Sequence, residues 1–140
     1  MQLSKIDLEK IKYLKAFSHF TNITTTECFK FNERIIYIVN PALLKILLLR
    51  KKSLKKLSKF LNKKIKVLAI PLEKNKENIK KFIDALISPY KIKTVEIENS
   101  KIIIYAGITK SILLGKEKKN LQLLKEIFKK YFKIEEIEIR

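Results

Sequence analysis

The 140-residue chain has one cysteine, one histidine, no tryptophan, two glycines and three prolines. A single cysteine, Cys28, excludes an internal disulfide, and a cysteine-based metal site would need more ligands. Cys28 falls in a predicted strand and is expected in the core. The one histidine, His19, has Phe20 beside it and is expected to pack or to cap a helix rather than to catalyse. Scarce glycine and proline predict that most residues lie in regular elements.

The residue sets of common enzyme active sites are also missing from the sequence. It contains no Ser/His/Asp set with supporting context, no Walker-type phosphate loop and no cluster of metal-ligating residues. The adjacent acids Glu135 and Glu136 lie in a predicted strand, where successive side chains point to opposite faces. We therefore expect a protein without catalytic residues, without a metal site and without a cofactor.

Long apolar runs are a further absence. The runs at 46–49 and 102–108 are far too short to cross a bilayer. Residues 1–15 are charged and follow a helical period, unlike a secretory signal peptide. On these grounds the sequence predicts a soluble protein of the cytoplasm with no membrane partner.

Positive charge is what the chain has in excess. It carries 32 lysines and arginines against 14 acids, for a net charge of +18. Such an excess indicates a polyanionic partner, most commonly nucleic acid. A lysine-rich source composition is the alternative, but acidic residues have not risen in step with lysine. Residues 50–66 contain nine basic residues and no acid, which destabilises a helix by repulsion unless an anion is bound.

Hydrophobic periodicity predicts the order helix-strand-strand-helix-helix-strand twice, hence an α+β protein. The domains are predicted at 1–70 and 71–140, rigidly joined because no flexible linker separates them. The first helix is predicted to be capped by Ser4, and Asn32-Glu33 to form a two-residue turn. Apolar residues of that helix are Ile6, Leu8, Ile11, Leu14 and Phe17. The predicted elements are 4–18, 26–31, 34–39, 41–48, 53–62 and 64–70, then 77–88, 93–98, 101–107, 108–114, 117–131 and 134–139.

A direct overlay of the two halves indicates a duplication. With a shift of about 67 positions they align without a gap for nearly thirty residues. Arg34-Ile35-Ile36 then falls on Lys101-Ile102-Ile103, and Ile46-Leu47 falls on Leu113-Leu114. The same shift places Leu48 on Gly115. Since these matches accompany a matched order of elements, the halves are predicted to superpose.

Gly115 lies between the two consecutive helices of the second half. A helix, a glycine loop and a helix between strands resemble the KH domain, whose G-x-x-G loop clamps the backbone of about four nucleotides. The resemblance implies that Gly115, lacking a Cβ, admits a phosphate close to the backbone. The helix that follows would offer free N–H groups and the positive end of its dipole.

The whole chain resembles the archaeal NusA-like transcription factors, which are tandem KH-domain proteins. The stretches that carry this resemblance are EKIKYLKAF, ECFKFNERIIYIV, LNKKIKV, KTVEIE and LLGKEKKNLQLLKEIFKKYFKIEEIEI. The resemblance implies a monomer that binds single-stranded nascent RNA and modulates transcription elongation or termination, with RNA polymerase as a further partner. The RNA-contacting residues that we predict are Gly115, Lys116, Lys118, Lys119, Arg50, Lys51, Lys52, Lys55 and Lys56.

Both loops depart from the G-x-x-G pattern. The second reads G-K-E-K, with Lys118 in place of the second glycine, and the aligned first loop, 48–51, has no glycine. Leu48 is expected to pack rather than to contact RNA. An alternative function therefore stays open, that of a scaffold docking on RNA polymerase or a ribosomal particle through protein contacts. Four strand aromatics are predicted either to stack on bases or to fill the core: Phe29, Phe31, Tyr37 and Tyr105.

Overall fold

The computed structural model describes residues 5–140, and the chain divides into two compact units, Met1–Ile70 and Pro71–Arg140. We call them the N-terminal unit and the C-terminal unit. The predicted cap Ser4 lies outside the described residues, and the predicted α+β class is confirmed. The N-terminal unit contains α1 (Lys5–Thr21), β1 (Glu27–Phe31), β2 (Arg34–Val39), α2 (Pro41–Leu48), α3 (Lys51–Leu61) and β3 (Ile65–Ala69). The C-terminal unit contains α4 (Lys76–Ile87), β4 (Thr94–Glu98), β5 (Lys101–Tyr105), α5 (Lys110–Leu114), α6 (Lys119–Phe132) and β6 (Glu136–Ile139).

Each unit has one three-stranded sheet, in the orders β1-β2-β3 and β4-β5-β6. The first two strands are antiparallel and joined by two residues, while the third runs parallel to the central strand. The predicted turn is present, because Asn32 and Glu33 both have left-handed backbones, with φ of 52° and 62°. Such a turn matches the twist of a hairpin. The parallel third strand requires a crossover, and the helix pair α2–α3 or α5–α6 provides it.

The core of the N-terminal unit lies between one sheet face and the helices. Every second residue of β2, including the fully buried Tyr37, points into it. The Tyr37 ring stacks on Phe17 with centroids 4.3 Å apart, and its hydroxyl donates to the backbone oxygen of Tyr13 at 2.7 Å. Cys28 is buried in the same core as expected, and burial raises the pKa of its thiol to about 11. Its thiolate is therefore scarce at neutral pH.

The apolar residues of helix α1 lie on two faces. Phe17 is fully buried and Leu14 packs against the core, whereas Leu8 and Ile11 lie in solvent. The buried stripe runs through positions 13, 16, 17 and 21, so positions 8 and 11 fall on the other side of a 3.6-residue period. Ile6 belongs to the residues whose side chains are not described.

In the C-terminal unit, α4 supplies much of the core. Asn75 begins the helix, its side-chain oxygen accepting from the backbone N–H of Asn78 at 2.8 Å. The helix buries Ile79, Phe82, Ile83, Leu86 and Ile87. Asp84 on the same helix accepts from the backbone N–H of Ile92 at 2.9 Å and pairs with Lys80 at 2.7 Å. These contacts fix the approach of the chain to β4.

The overlay by 67 positions places β1 on β4 and β2 on β5 but fails at the helix pair. It set Ile46 on Leu113 and Leu47 on Leu114. In the structure Leu47 and Leu113 are the fully buried residues of α2 and α5, whereas Ile46 is exposed. The reason is a 3-10 turn, Gly107–Thr109, which precedes α5 and moves its register by one residue. The next helix is also longer, with 14 residues in α6 against 11 in α3.

Candidate nucleic-acid interface

The loop between α5 and α6 has an unusual backbone. Gly115 ends α5 with φ of 70° and ψ of 175°, and its N–H donates to the Ser111 oxygen at 2.9 Å. A 3-10 turn, Lys116–Lys118, follows, and within it Glu117 and Lys118 are left-handed, with φ of 55° and 59°. Three of four consecutive residues therefore hold a conformation that glycine adopts with the least strain.

Gly115 is required by its own packing, through a residue that sequence reasoning missed. A Cβ at this glycine would lie 2.6 Å from Cγ of Asn120. Asn120 is buried in the first turn of α6, and its Nδ2 donates to the backbone oxygen of Ile112 at 2.8 Å. The space that a Cβ would fill is thus occupied by Asn120 from within the same unit. The signal in the sequence was one asparagine among the lysines and leucines of α6.

The lysines of this loop are differently placed. Lys116, Lys118 and Lys119 are all exposed, and Lys118 and Lys119 stand at the start of α6. No acidic residue lies in the first turn of α6, although Glu117 precedes it. The positive end of the α6 dipole, with three lysines around it, forms a positively charged end that attracts anions.

Lys118 stands where the second glycine of a G-x-x-G loop would be. Because its backbone is left-handed, we expect Lys118→Gly to stabilise the C-terminal unit by about 0.5–1 kcal/mol. Thermal unfolding should show a melting temperature higher by about 2–6 °C. Lys118→Ala removes the same charge without relieving the backbone and serves as the control. Equal melting temperatures for the two variants would contradict the prediction.

The loop of the N-terminal unit is shorter and of a different kind. It consists of Leu49 and Arg50, neither of them left-handed. Leu48 was expected to pack, and this is wrong: 55% of it is exposed, as is 89% of Leu49. The preceding residue, Leu47, is fully buried in the core instead. Nη1 of Arg50 donates to the backbone oxygen of Thr21 at 2.9 Å, so the guanidinium holds the end of α1.

Helix α3 turns its lysines to solvent. Leu57 is fully buried, whereas the predicted RNA-contacting residues Lys51, Lys52, Lys55 and Lys56 are all exposed. Two neighbouring basic grooves of about 410 and 610 Å³ flank this helix and share Lys55, Ser58 and Lys64. The first is also lined by Arg34, Leu54, Ile65 and Lys66, and the second by Lys56, Lys59, Asn62 and Lys63. Lys51 and Lys52 line neither groove, so the structure brings together Lys55 and Lys56 with lysines that follow them in the sequence.

Arg34 and Lys66 make the smaller groove electrostatically distinct. Arg34 comes from β2 and was missed as a candidate, because only the parallel pairing of β2 with β3 brings it beside Lys66. Burial, and to a lesser extent the nearby charge of Arg34, together lower the pKa of Lys66 to about 8. A phosphate in this groove would offset both effects, since it favours the charged form of lysine.

This perturbed lysine predicts a pH dependence of anion binding. As pH rises through about 8, Lys66 loses its proton and the groove loses one positive charge. We expect the affinity for single-stranded RNA to fall between about pH 7 and pH 9 by severalfold more in the wild type than in Lys66→Arg. Fluorescence anisotropy at constant ionic strength measures both. Parallel pH profiles would show that Lys66 does not contact the anion.

The strand aromatics divide between core and partial exposure. Phe31 and Tyr37 are buried and so cannot stack on bases, while Phe29 and Tyr105 are half-buried. Tyr105 donates to a carboxylate oxygen of Glu96 at 3.2 Å.

Within residues 5–140 no group of three or more His, Cys, Asp or Glu could hold a metal ion. In the same range, no helix is long and apolar enough to cross a membrane.

A comparison with known proteins finds a solved structure of similar fold but no matching family. No family model matches the chain, and no curated protein matches it. The crystal structure of APE1850 is similar, with a TM-score of 0.55 and 24% sequence identity. The likeness covers 95% of this chain and 99% of that one. At this level of identity the likeness concerns the fold.

Proposed function

We propose that this chain is a tandem KH protein that binds single-stranded RNA, in the manner of the NusA-like transcription factors. The observation that carries the proposal is the repeated helix–loop–helix between a central strand and a parallel outer strand. In both units the second helix begins with lysines, at Lys51 and at Lys119. In KH domains this is the position of the loop that holds the nucleotide backbone.

The distribution of charge supports a polyanionic ligand. The lysines of α3 and of the segment after it are concentrated around two adjacent grooves. In the C-terminal unit three exposed lysines, Lys116, Lys118 and Lys119, lie next to one another around the start of α6. Lysine recognises phosphate as a point charge and carries no information about base sequence. The ligand would therefore be held through its backbone, with nascent transcripts as the proposed source.

A second candidate function is docking through protein contacts, on RNA polymerase or a ribosomal particle. One observation favours it for the N-terminal unit. The last residue of α2, Leu48, and the loop residue Leu49 present two leucine side chains to solvent at the place where a KH loop presents glycines. Leucine side chains cannot neutralise a phosphate, but they can anchor an apolar contact.

Salt titration distinguishes the two functions. If RNA binds through these lysines, log affinity for a single-stranded oligonucleotide should fall linearly with log salt, with a slope of about −0.7 per neutralised phosphate. Fluorescence anisotropy with single-stranded RNA, and with a duplex of the same length as control, measures the slope. A flat salt dependence, or equal affinity for duplex and single strand, would contradict the proposal.

A further inference from the structure

A second surface of the N-terminal unit is apolar and separate from the lysine grooves around α3. A groove of about 540 Å³ runs along the exposed face of α1 and ends at Phe60 of α3. Phe60 is 61% exposed, Leu8 is 55% exposed and Ile11 lies in solvent beside them. A contiguous apolar patch of this kind commonly marks an interaction site. The lining residues are Leu8, Ile11, Lys12, Lys15, Ala16, His19, Phe20 and Phe60.

Ring contacts and core packing fix the side chains at the floor of this groove. The rings of Phe20 and Phe60 meet with centroids 5.4 Å apart, which ties α1 to α3 at one end. The His19 ring stands edge-on to Phe20 at 5.0 Å. Phe20 also packs against the core of the unit, so the position of the pair is set from inside. Phe60 extends from this pair toward solvent, on the side away from the core.

The dimensions of the groove fit a helix. Its α1 wall follows positions 8, 11, 12, 15 and 19, which form one stripe at helical spacing. The stretch 8–20 is about 18 Å long, or about three turns. Grooves of this length take amphipathic helices through apolar anchors at i, i+3 or i+4, and i+7.

The charge around the groove selects an acidic partner. Lys12 and Lys15 form its rim, and none of the described residues that line it is acidic. Glu9, also on α1, is paired with Lys30 on β1 at 3.2 Å. Opposite charges at a rim steer association and disfavour basic partners.

We propose that this groove binds an amphipathic helix of a partner protein, with apolar side chains between Leu8 and Phe60 and acidic side chains against Lys12 and Lys15. The aliphatic lining favours side chains over nucleotides, because Leu8, Ile11 and Ala16 offer no hydrogen bond to a base edge. The interaction is independent of RNA binding, and the two surfaces are distinct sets of residues.

The test uses the full chain and three synthetic peptides of about 14 residues. One places leucines on one helical face and glutamates on the other, the second is a scramble of it, and the third has lysine for glutamate. We expect the first to bind at least about 10-fold more tightly than the other two. In spectra of the labelled protein, it should shift the amides of residues 8–20 and of Phe60.

Two substitutions assign the binding to the groove. Phe60→Ser and, separately, Leu8→Ser should each weaken binding of the acidic peptide by about 10-fold or more. Leu8→Ser should leave melting unchanged because its side chain is exposed, whereas Phe60→Ser loses the ring contact with Phe20, so its binding is measured below its own melting temperature. Ile108→Ser is the matched control, since Ile108 is 97% exposed in the C-terminal unit, and it should bind like the wild type. Equal binding of the scramble, or no effect of either variant, would overturn the proposal. Two further results would overturn it. If the wild type dimerises and Phe60→Ser does not, the groove binds a second copy of the chain, and if single-stranded RNA shifts the same amides, the groove binds RNA.

Discussion

Reversing the charge of Lys55, Lys56, Lys59 and Lys63 to glutamate should lower the affinity for single-stranded RNA by at least about 100-fold at 0.1 M salt. The four side chains are exposed and line one groove, so the change removes four cations from a single place and adds four anions. The loss should be similar for RNA of any sequence, because lysine contacts to phosphate carry no base information. The salt slope should become shallower by about 3.

A charge-matched variant separates local contact from overall charge. Reversing the exposed lysines Lys74, Lys76, Lys81 and Lys91 changes the net charge equally, at and around α4. We expect this control to weaken binding only modestly and to keep the slope, since these lysines line neither groove. If both variants lose affinity equally, the chain attracts RNA through its net charge of +18 and the grooves have no special part.

Gly115→Ala should destabilise the C-terminal unit by about 2–4 kcal/mol and lower its melting temperature by about 10–20 °C. Two effects add: a left-handed backbone that Ala resists, and a Cβ placed 2.6 Å from Asn120. Gly115→Asp should cost at least as much, so a loss of RNA binding by that variant cannot be assigned to a phosphate contact. Binding must be compared below the melting of both proteins.

A double-mutant cycle isolates the contact with Asn120. Asn120→Ala alone leaves the Ile112 oxygen without its donor and should cost about 1 kcal/mol. In that background Gly115→Ala should cost less than in the wild type, by about 1 kcal/mol, because Cγ and Nδ2 of Asn120 are gone and only the Cβ at position 120 remains close, at 2.9 Å. Strict additivity of the two changes would show that the unit relaxes around Cβ and that the packing against Asn120 is unimportant.

The elements were largely predictable from local rules. A two-residue turn at Asn32-Glu33, an α2 that begins at Pro41 and an α4 that stops before Pro89 follow from backbone preferences of single residues. The parallel placement of the third strand also follows, once a helix pair is known to precede it. These features depend on neighbours in sequence, which is why a single chain suffices to predict them.

The details of the candidate site depend on contacts between distant residues. Arg34 reaches the lysine groove only through the pairing of β2 with β3. Leu48 is exposed because the neighbouring Leu47 is the residue of α2 that is fully buried in the core. The role of Gly115 was predicted from its loop, whereas the close approach belongs to Asn120, a residue of the next helix. Apolar composition alone does not tell which side of α1 faces the core.

The hydrogen bond from Arg50 to Thr21 links the inter-helix loop of the N-terminal unit to the end of α1. Thr21 is itself buried, and its hydroxyl donates to the Phe17 oxygen at 2.7 Å. An anion that draws the guanidinium of Arg50 away leaves the last carbonyl of α1 without this donor. The measured affinity then includes the free energy needed to open the last turn of α1. The coupling is reciprocal: a change that stabilises the hydrogen-bonded end of α1 lowers the affinity of Arg50 for an anion by the same factor. Amide exchange near Asn22, at the end of α1, then reports on occupancy of a loop 28 residues further along the chain.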